Sequence, residues 1–459
     1  MRRAFCEGCL AKQRQIDALR EENQRLRAQL RYREHQATAG AFGSATPSAQ
    51  RPFKANSPAA QRAQRGGARP GHPGHGRPAL TAARAARVVA VPGAAVCPQC
   101  GGPLEAKGCR PRSVLDIAPP QPAPILYQLG RGYCPRCRRA VQAPLSVVLP
   151  KARFGNELTA QLVCLHYLHG LPLGRLCAQW GLGLGSVIAV LHRLAGRLAP
   201  VFPRLITAYR QAPVRHADET GWRTDGHSGY AWLFCAPTLS LFLFRATRSA
   251  VVPQEVLGTA RLAGVLVVDR YAGYNQAPAA LQYCYAHLLR DVADLGREFP
   301  DAPEVAAFTG TLLPLLAAAM RLPRQPLADP EYYAQAAGLK AQIVATTEAA
   351  THHLGIRHIQ DIFHEHPNRL YHWVADRQVP PDNNRCEREL RPTVIARKVS
   401  FGSQSDAGAQ TREILMSVLH TLRKRHPDPQ AHFKRVLDQL ATHPKQDPFP
   451  LLFPAFDSS

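Results

Sequence analysis

Three acidic residues far apart in the chain each stand in a local sequence suited to holding a metal ion. Asp218 lies in RHADETGW, Asp269 ends the apolar run VLVVD, and Glu387 lies in DNNRCERELRP. Carboxylates gathered in one pocket repel each other, and a hard divalent cation resolves that repulsion. Mg2+, or Mn2+ in its place, takes such oxygen ligands. Two ions about 3.5–4 Å apart activate an attacking oxygen and stabilise a leaving one. That arrangement serves both hydrolysis of a phosphodiester and its attack by a 3′-hydroxyl. Each acid also has a plainer reading. Asp269 stands where a turn-capping Asp is common, and Glu387 where an exposed helical acid would pair with Arg385, Arg388 or Arg391. Glu219 follows Asp218, and successive strand residues face opposite sides, so only one of the two faces a given site.

Cysteine supplies a second chemistry. Of twelve cysteines, six fall in three C-x-x-C pairs: Cys6 with Cys9, Cys97 with Cys100, and Cys134 with Cys137. In a cytoplasmic chain this pattern points to metal rather than to disulfides. The pairs Cys97/Cys100 and Cys134/Cys137 complete a closed tetrahedral shell, which predicts a structural Zn2+ in a zinc ribbon. Cys6 and Cys9 would close an inter-chain site only in a dimer. Cys109 is a spare thiol. Cys284 and His287 form a C-x-x-H near the acids, where His287 either steadies the site, contacts the scissile phosphate, or is an ordinary histidine. Trp222, Tyr271 and Tyr274 flank the acids and are available to stack on a displaced base or to pack in the core.

The elements that must position these groups are legible in outline. Residues 10–35 read as a charged helix with Ile16, Leu19, Leu26 and Leu30 at a and d spacing and Asn23 at an a position, the pattern of a parallel coiled-coil dimer. Residues 36–96 hold no Asp or Glu but eight Lys or Arg, a composition that cannot bury a core and suits either a DNA tether or a plain linker. The segment LPLGRLCAQWGLGLGSVIAVLHRLAG predicts two helices about a Gly-rich break with Ser186 as cap, either a helix-turn-helix or a pair packed on the core. YAWLFCAP and SLFLFRAT read as adjacent strands, VLVVD as a buried strand, and LQYCYAHLL as a strand running into a helix. Residues 290–380 are mostly helical, and Asp382, Asn383 and Asn384 are good caps for the helix carrying Glu387.

Charge sets the partner. The chain has 57 Lys and Arg against 33 Asp and Glu, a formal net charge of +24, with Arg dominant, which suits a polyanion. The longest apolar run, LLPLLAAAM, is too short to span a bilayer, and the start MRRAFCEGC has no signal-peptide core. A cytoplasmic protein without a membrane partner is expected.

The order of blocks HADETGWRTDG, VVDRYAGYN, CYAHLLRD and DNNRCERELRPTVIARKVSFGS, after a zipper-like start, a basic GHPGH linker and paired cysteines, resembles the insertion-sequence-66 family of transposases. The resemblance implies a multidomain α/β protein. It would comprise a coiled-coil helix (1–35), a basic linker (36–96), a zinc-binding domain (97–145) and a helical helix-turn-helix-like segment (150–205). An RNase H-like core (210–415) with a helical insertion near 295–375 and a helical tail (416–459) would follow. It implies the triad Asp218, Asp269 and Glu387, preferring Asp218 over Glu219, with His287 beside it. Arg270, Tyr271, Arg385, Arg388, Arg391, Arg397 and Lys398 are assigned to DNA. Arg270 and Cys386 depart from the family pattern, where small residues, Gly and Ala, are usual. The implied partners are double-stranded DNA at inverted repeats and target sites, a homodimer or higher oligomer on DNA, and small accessory proteins, in a bacterial nucleoid. The rivals are a structure-specific nuclease on the same core and a catalytically silent DNA-binding regulator.

Overall fold

The computed structural model describes residues 145–454 throughout, with 122–129, most of 131–142 and scattered helical positions between Lys12 and Arg27. The chain divides into two units, residues 1–52 with 126–459, and residues 53–125; the account concerns the first. Strands β1 (Arg131–Cys134) and β2 (Arg139–Gln142) form an antiparallel hairpin, so Cys134 ends a strand at its turn. Cys6, Cys9, Cys97, Cys100 and Cys137 lie outside the described residues, as does the basic linker. Ile16, Leu19 and Leu26 are helical and exposed.

Four helices follow: α1 (Asn156–Tyr167), α2 (Leu173–Trp180), α3 (Leu184–Leu198) and α4 (Val201–Gln211). Helices α2 and α3 meet at 120° across Gly181, whose φ is +61°, the geometry of a helix-turn-helix. Ser186 is not the cap that the sequence suggested, because α3 starts earlier, after Gly183. In the first turns of α3 the exposed residues include Leu184, Gly185, Ile188 and Ala189, none of which can hydrogen-bond a base edge. Its other face is buried against the core.

Five strands form the central sheet: β3 (Val214–Thr224), β4 (His227–Ala236), β5 (Leu239–Arg245), β6 (Val265–Val268) and β7 (Ala280–Tyr283), ordered β5-β4-β3-β6-β7. Asp225-Gly226 turns β3 into β4 with φ of +50° and +76°, as a tight hairpin requires. The pairs β3–β4 and β4–β5 are antiparallel, while β3–β6 and β6–β7 are parallel. Helix α5 (Val251–Leu257) makes the crossover into β6. Helices α6 (Tyr285–Glu298), α7 (Pro303–Arg321), α8 (Asp329–Glu348), α9 (Leu354–Glu365) and the short α10 (His372–Ala375) stand between β7 and α11 (Asn384–Ser400). The stretch Pro303–Arg324 is long and apolar enough to cross a membrane, longer than the sequence suggested. Here it contains Pro314 and buries Phe308, Leu312 and Leu316 in the core cluster, as a packed interior helix does.

Helix α12 (Asp406–Arg425), followed by α13 (Pro429–Thr442) and α14 (Pro448–Leu452), closes the sheet's β5 edge. Along α12, Glu413, Ser417 and Thr421 recur every four residues and so share one face. They accept from the alternate backbone N–H groups of Phe244 (3.2 Å), Phe242 (2.9 Å) and Ser240 (3.1 Å). An edge strand otherwise offers those donors to another chain. Ser417→Ala is expected to leave the Phe242 N–H buried without an acceptor and lower stability by about 1–3 kcal/mol. Denaturant unfolding checks this, with Gly185→Ala as control. The added methyl of that control meets nothing within 4 Å in a helix, and should be neutral or stabilise by about 0.4–1 kcal/mol.

Candidate active site

The parallel register of β3 and β6 pairs His216 with Val267. Two residues further on, Asp218 in mid-β3 and Asp269 just past the end of β6 stand level and, by the period of two, on one face. Both are buried. Asp218 accepts from the Glu219 N–H at 2.9 Å, and Asp269 from the Tyr271 N–H at 2.9 Å. Burial first, then the charges of Glu219, Asp269 and Glu387, push Asp218 well above the carboxylate range. Burial and Glu219 push Asp269 up to about 7.

Glu387 sits in the first turn of α11, and Asn383 fixes that turn. The Asn383 side chain meets His216 Nδ1 at 2.9 Å and donates to the Ala217 carbonyl at 2.8 Å. Its N–H donates to Cys284 Sγ at 3.1 Å, and its carbonyl accepts from the Glu387 N–H at 3.2 Å. Asn383 is the cap residue, but its side chain makes no capping bond; it ties α11 to β3 instead. The Cys284 N–H donates to the Val268 carbonyl at 2.9 Å, beside Asp269. Burial raises the Cys284 thiol. Three segments remote in sequence are thus joined through one asparagine.

Around Glu387, Arg290 Nη2 lies 3.8 Å and His287 Nδ1 4.0 Å from Oε1. Neither His287 Nδ1 nor Glu387 Oε1, both buried, makes a hydrogen bond. Burial, with Arg290 opposing it, raises Glu387. Burial, then Arg270, pushes His287 down to about 4, so it is neutral at physiological pH. Among the described residues, Cys284, His287 and Glu387 form a group whose ligand atoms all lie within 4.8 Å of one another; the three acids do not form such a group. The donors fit a divalent cation on two observations: two adjacent buried carboxylates whose proton affinity is raised, and a third with an orphaned oxygen.

Several sequence-assigned residues stand elsewhere than expected. Trp222 and Tyr274 are buried and cannot stack on DNA. Trp222 donates to Ser403 Oγ at 3.2 Å, and Tyr274 donates to Glu219 Oε2 at 2.6 Å. Arg270 is ion-paired with Asp291 and mostly buried, so it is not a free phosphate contact. Tyr271 is half-buried, donates to the Arg248 carbonyl, and lies under the Arg248 guanidinium at 4.0 Å. Arg397 is half-buried and donates to the Gly221 carbonyl at 2.5 Å. Arg385, Arg388, Arg391 and Lys398 are exposed along α11. The sequence reading set Glu219 aside in favour of Asp218 but did not find its partner, Arg248, which pairs with its carboxylate at 2.5 Å. It also missed Arg290 and the role of Asn383. The strand period already put Glu219 on the opposite side from Asp218; its arginine is 29 residues away and had no local signal.

A mixed sheet with two acids level on adjacent strands and a third on a following helix is compatible with a transposase core. The sequence pattern of "Transposase IS66 family" matches residues 151–411, more than half of the chain. The protein belongs to the IS66 family of transposases. It is also similar to y4jD, an uncharacterised protein of Sinorhizobium fredii, with 24% identity over 399 residues, covering 77% of this chain and 76% of that protein.

The raised carboxyls fix a pH dependence. Between about pH 4 and about 7 the folded protein holds on Asp269 a proton that the unfolded chain, with an ordinary value of 3.8, has released. Stability of cation-free protein therefore falls as pH rises through that window, by at most about 1.4 kcal/mol per pH unit for this group. Asp269→Asn should flatten the slope, and Mg2+ at pH 7.5 should raise the melting temperature of the parent chain more than that of the variant. Equal slopes in denaturant titrations would contradict the assignment.

Proposed function

We propose that this transposase cleaves DNA at the ends of its element and joins the freed 3′-hydroxyls to target DNA, using Asp218, Asp269 and Glu387 as the ligands of catalytic Mg2+ or Mn2+. The observation that carries the reading is the level, buried pair Asp218 and Asp269, with Asn383 holding the turn of Glu387 against the same strand. The antiparallel β5-β4-β3 hairpins followed by parallel β6 and β7 support an RNase H-like core interrupted by helices α6–α10.

Asp218, Asp269 and Glu387 would hold the cation, which would supply Lewis acidity to an in-line displacement. The chain's own residues do the positioning. The middle of β3 holds Asp218, the end of β6 holds Asp269, and the helix start holds Glu387. Neutral His287 offers a hydrogen bond rather than a charge, and Arg290 stands beside Glu387 to meet a phosphate oxygen. Exposed Arg385, Arg388, Arg391 and Lys398 lay a cationic track along α11 for the DNA backbone. Half-buried Arg397, Arg270 and Tyr271 act by shaping the walls.

Outside the core, Cys97, Cys100, Cys134 and Cys137 would hold a structural Zn2+, consistent with Cys134 ending a hairpin strand. The exposed helical Ile16, Leu19 and Leu26 suit a homodimer. The basic residues before residue 97 suit a DNA tether, and inverted repeats, accessory proteins and a cytoplasmic, nucleoid-associated setting follow from the family.

Asp218→Asn, Asp269→Asn and Glu387→Gln are each expected to lower cleavage and joining at least a hundredfold while changing DNA affinity little. Strand-transfer assays with Mg2+ and labelled element ends check this alongside gel-shift titrations. Near-normal cleavage by any one variant removes that residue from the site, and cleavage without joining by the parent chain favours a nuclease.

A further inference from the structure

Phe401 is a large apolar side chain left exposed where glycine is usual. It caps α11 with φ +61° and ψ −3°, the left-handed region, and its ring is 74% exposed. Glycine is the usual residue at such a helix end; a side chain there costs about 1 kcal/mol or more, and an exposed ring gains nothing from burial. The backbone around it is nonetheless tied down. The Phe401 N–H donates to the Arg397 carbonyl at 2.8 Å, the Ser403 N–H to the Arg223 carbonyl at 2.9 Å, and the Asp225 N–H to the Ser403 carbonyl at 2.9 Å. Between them, Gly402 has φ +134°, and any added Cβ would stand 2.1 Å from the Arg223 carbonyl oxygen. The segment therefore lies flush on the edge of β3 and presents Phe401 outward without slack.

Phe401 borders a pocket of about 530 Å³ with Trp222, Arg223, Ser228, Tyr230 and Arg397. Arg223 and Ser228 are exposed, and Tyr230 is half-buried. Trp222 shows only an edge, since its face is packed. The pocket thus combines aromatic rings with cationic and hydroxyl groups. Asp225, at the hairpin tip, is the exposed acid nearby. The approach along α11 carries exposed Arg385, Arg388, Arg391 and Lys398, so the face complements a polyanion more than an apolar protein surface, although Ile395 and Val399 are also exposed.

Its place relative to the acids follows from the elements. Trp222 is four residues along β3 from Asp218, about 13 Å at strand rise. Arg397 is ten residues along α11 from Glu387, about 15 Å at helix rise. Both routes lead from the acids to this pocket. The separation is roughly four base steps of duplex at about 3.4 Å each.

We propose that the pocket between Phe401 and Tyr230 captures one unstacked base of the DNA strand near the reacting phosphate, within roughly four positions of it. Phe401 stacks on the base, Arg223 meets its flanking phosphate, and Ser228 and Tyr230 offer hydroxyls to its edge. The stacking is tolerant of base identity, as aromatic platforms are. The proposal deepens the transposase reading by naming where the strand is held open, and it rests on that reading for the identity of the ligand.

The test uses the full-length protein without added divalent cation. The probes are a blunt DNA duplex and the same duplex with a five-nucleotide single-stranded extension carrying 2-aminopurine at one position at a time. The parent chain should quench 2-aminopurine at one position. Phe401→Ala and Phe401→Leu should each abolish that quench and weaken binding of the extended duplex about 5- to 150-fold, the range of one lost base stack. Affinity for blunt duplex should not change, and Phe401→Trp should retain the quench. An equal thermal midpoint for Phe401→Ala excludes misfolding. Unchanged quench in Phe401→Ala or Phe401→Leu overturns the proposal while leaving the transposase reading intact. A drop in solution mass of Phe401→Ala without loss of quench overturns it in favour of a protein interface. Failure of the parent chain to bind either DNA would strike the transposase reading itself.

Discussion

Asn383 is the contact on which the site depends. Its side chain joins the ring of His216 and the carbonyl of Ala217 on β3, its N–H the sulfur of Cys284, and its carbonyl the N–H of Glu387. One residue therefore registers the strand of Asp218, the start of α6 at Cys284, whose N–H bonds the Val268 carbonyl next to Asp269, and the helix of Glu387. Burial pushes His216 down to about 4, which keeps its ring neutral and the bond to Asn383 free of charge. The other polar ties of α11, Arg397 to the Gly221 carbonyl and Glu389 accepting from Ser240 Oγ, lie beyond its first residues, where apolar contacts such as Cys386 do the rest. Apolar contact fixes distance better than register. A carboxylate must be held within about half an ångström to serve a cation.

The rest of the core serves to keep β3 still. On one side β4 and β5 extend it, and the Glu413, Ser417 and Thr421 row of α12 closes the outer edge. On the other side β6 runs parallel only as far as His216, and beyond that point the edge of β3 is met by Ser403. Buried Glu219 is neutralised by Arg248 and bonded by Tyr274. This leaves Asp218 and Asp269 as the pair of like charges without a basic partner in hydrogen-bond range. The proposed cation site rests on this contrast: the fold pairs one acid of the DET segment with arginine and leaves its neighbour without one.

Much of this was legible in the residues. VLVVD had to be a buried strand ending in an acid, YAWLFCAP and SLFLFRAT had to be adjacent strands, and LQYCYAHLL had to pass from strand to helix, because each signal is local. The family resemblance rested on local blocks and is matched over residues 151–411. What stayed hidden was tertiary. Nothing local distinguishes Trp222 and Tyr274, which are core, from Phe401, which is exposed. Arg270 looked like a phosphate contact until Asp291, a turn and a half into α6, claimed it. Asn383 looked like a helix cap because Asn is a good one; its partners lie 99 and 166 residues away. The polar row on α12 reads as an ordinary helical face until an edge strand is laid along it.

The central claim is that three remote segments share one divalent-cation site. Fe2+ in place of Mg2+, with ascorbate and peroxide, generates hydroxyl radicals at the bound ion and cuts the backbone next to it. On the full-length protein the account predicts cuts near residues 218, 269 and 387, all lost together in Asp218→Asn and all suppressed by excess Mg2+. Cuts confined to a single segment, or three that survive Asp218→Asn, would contradict it.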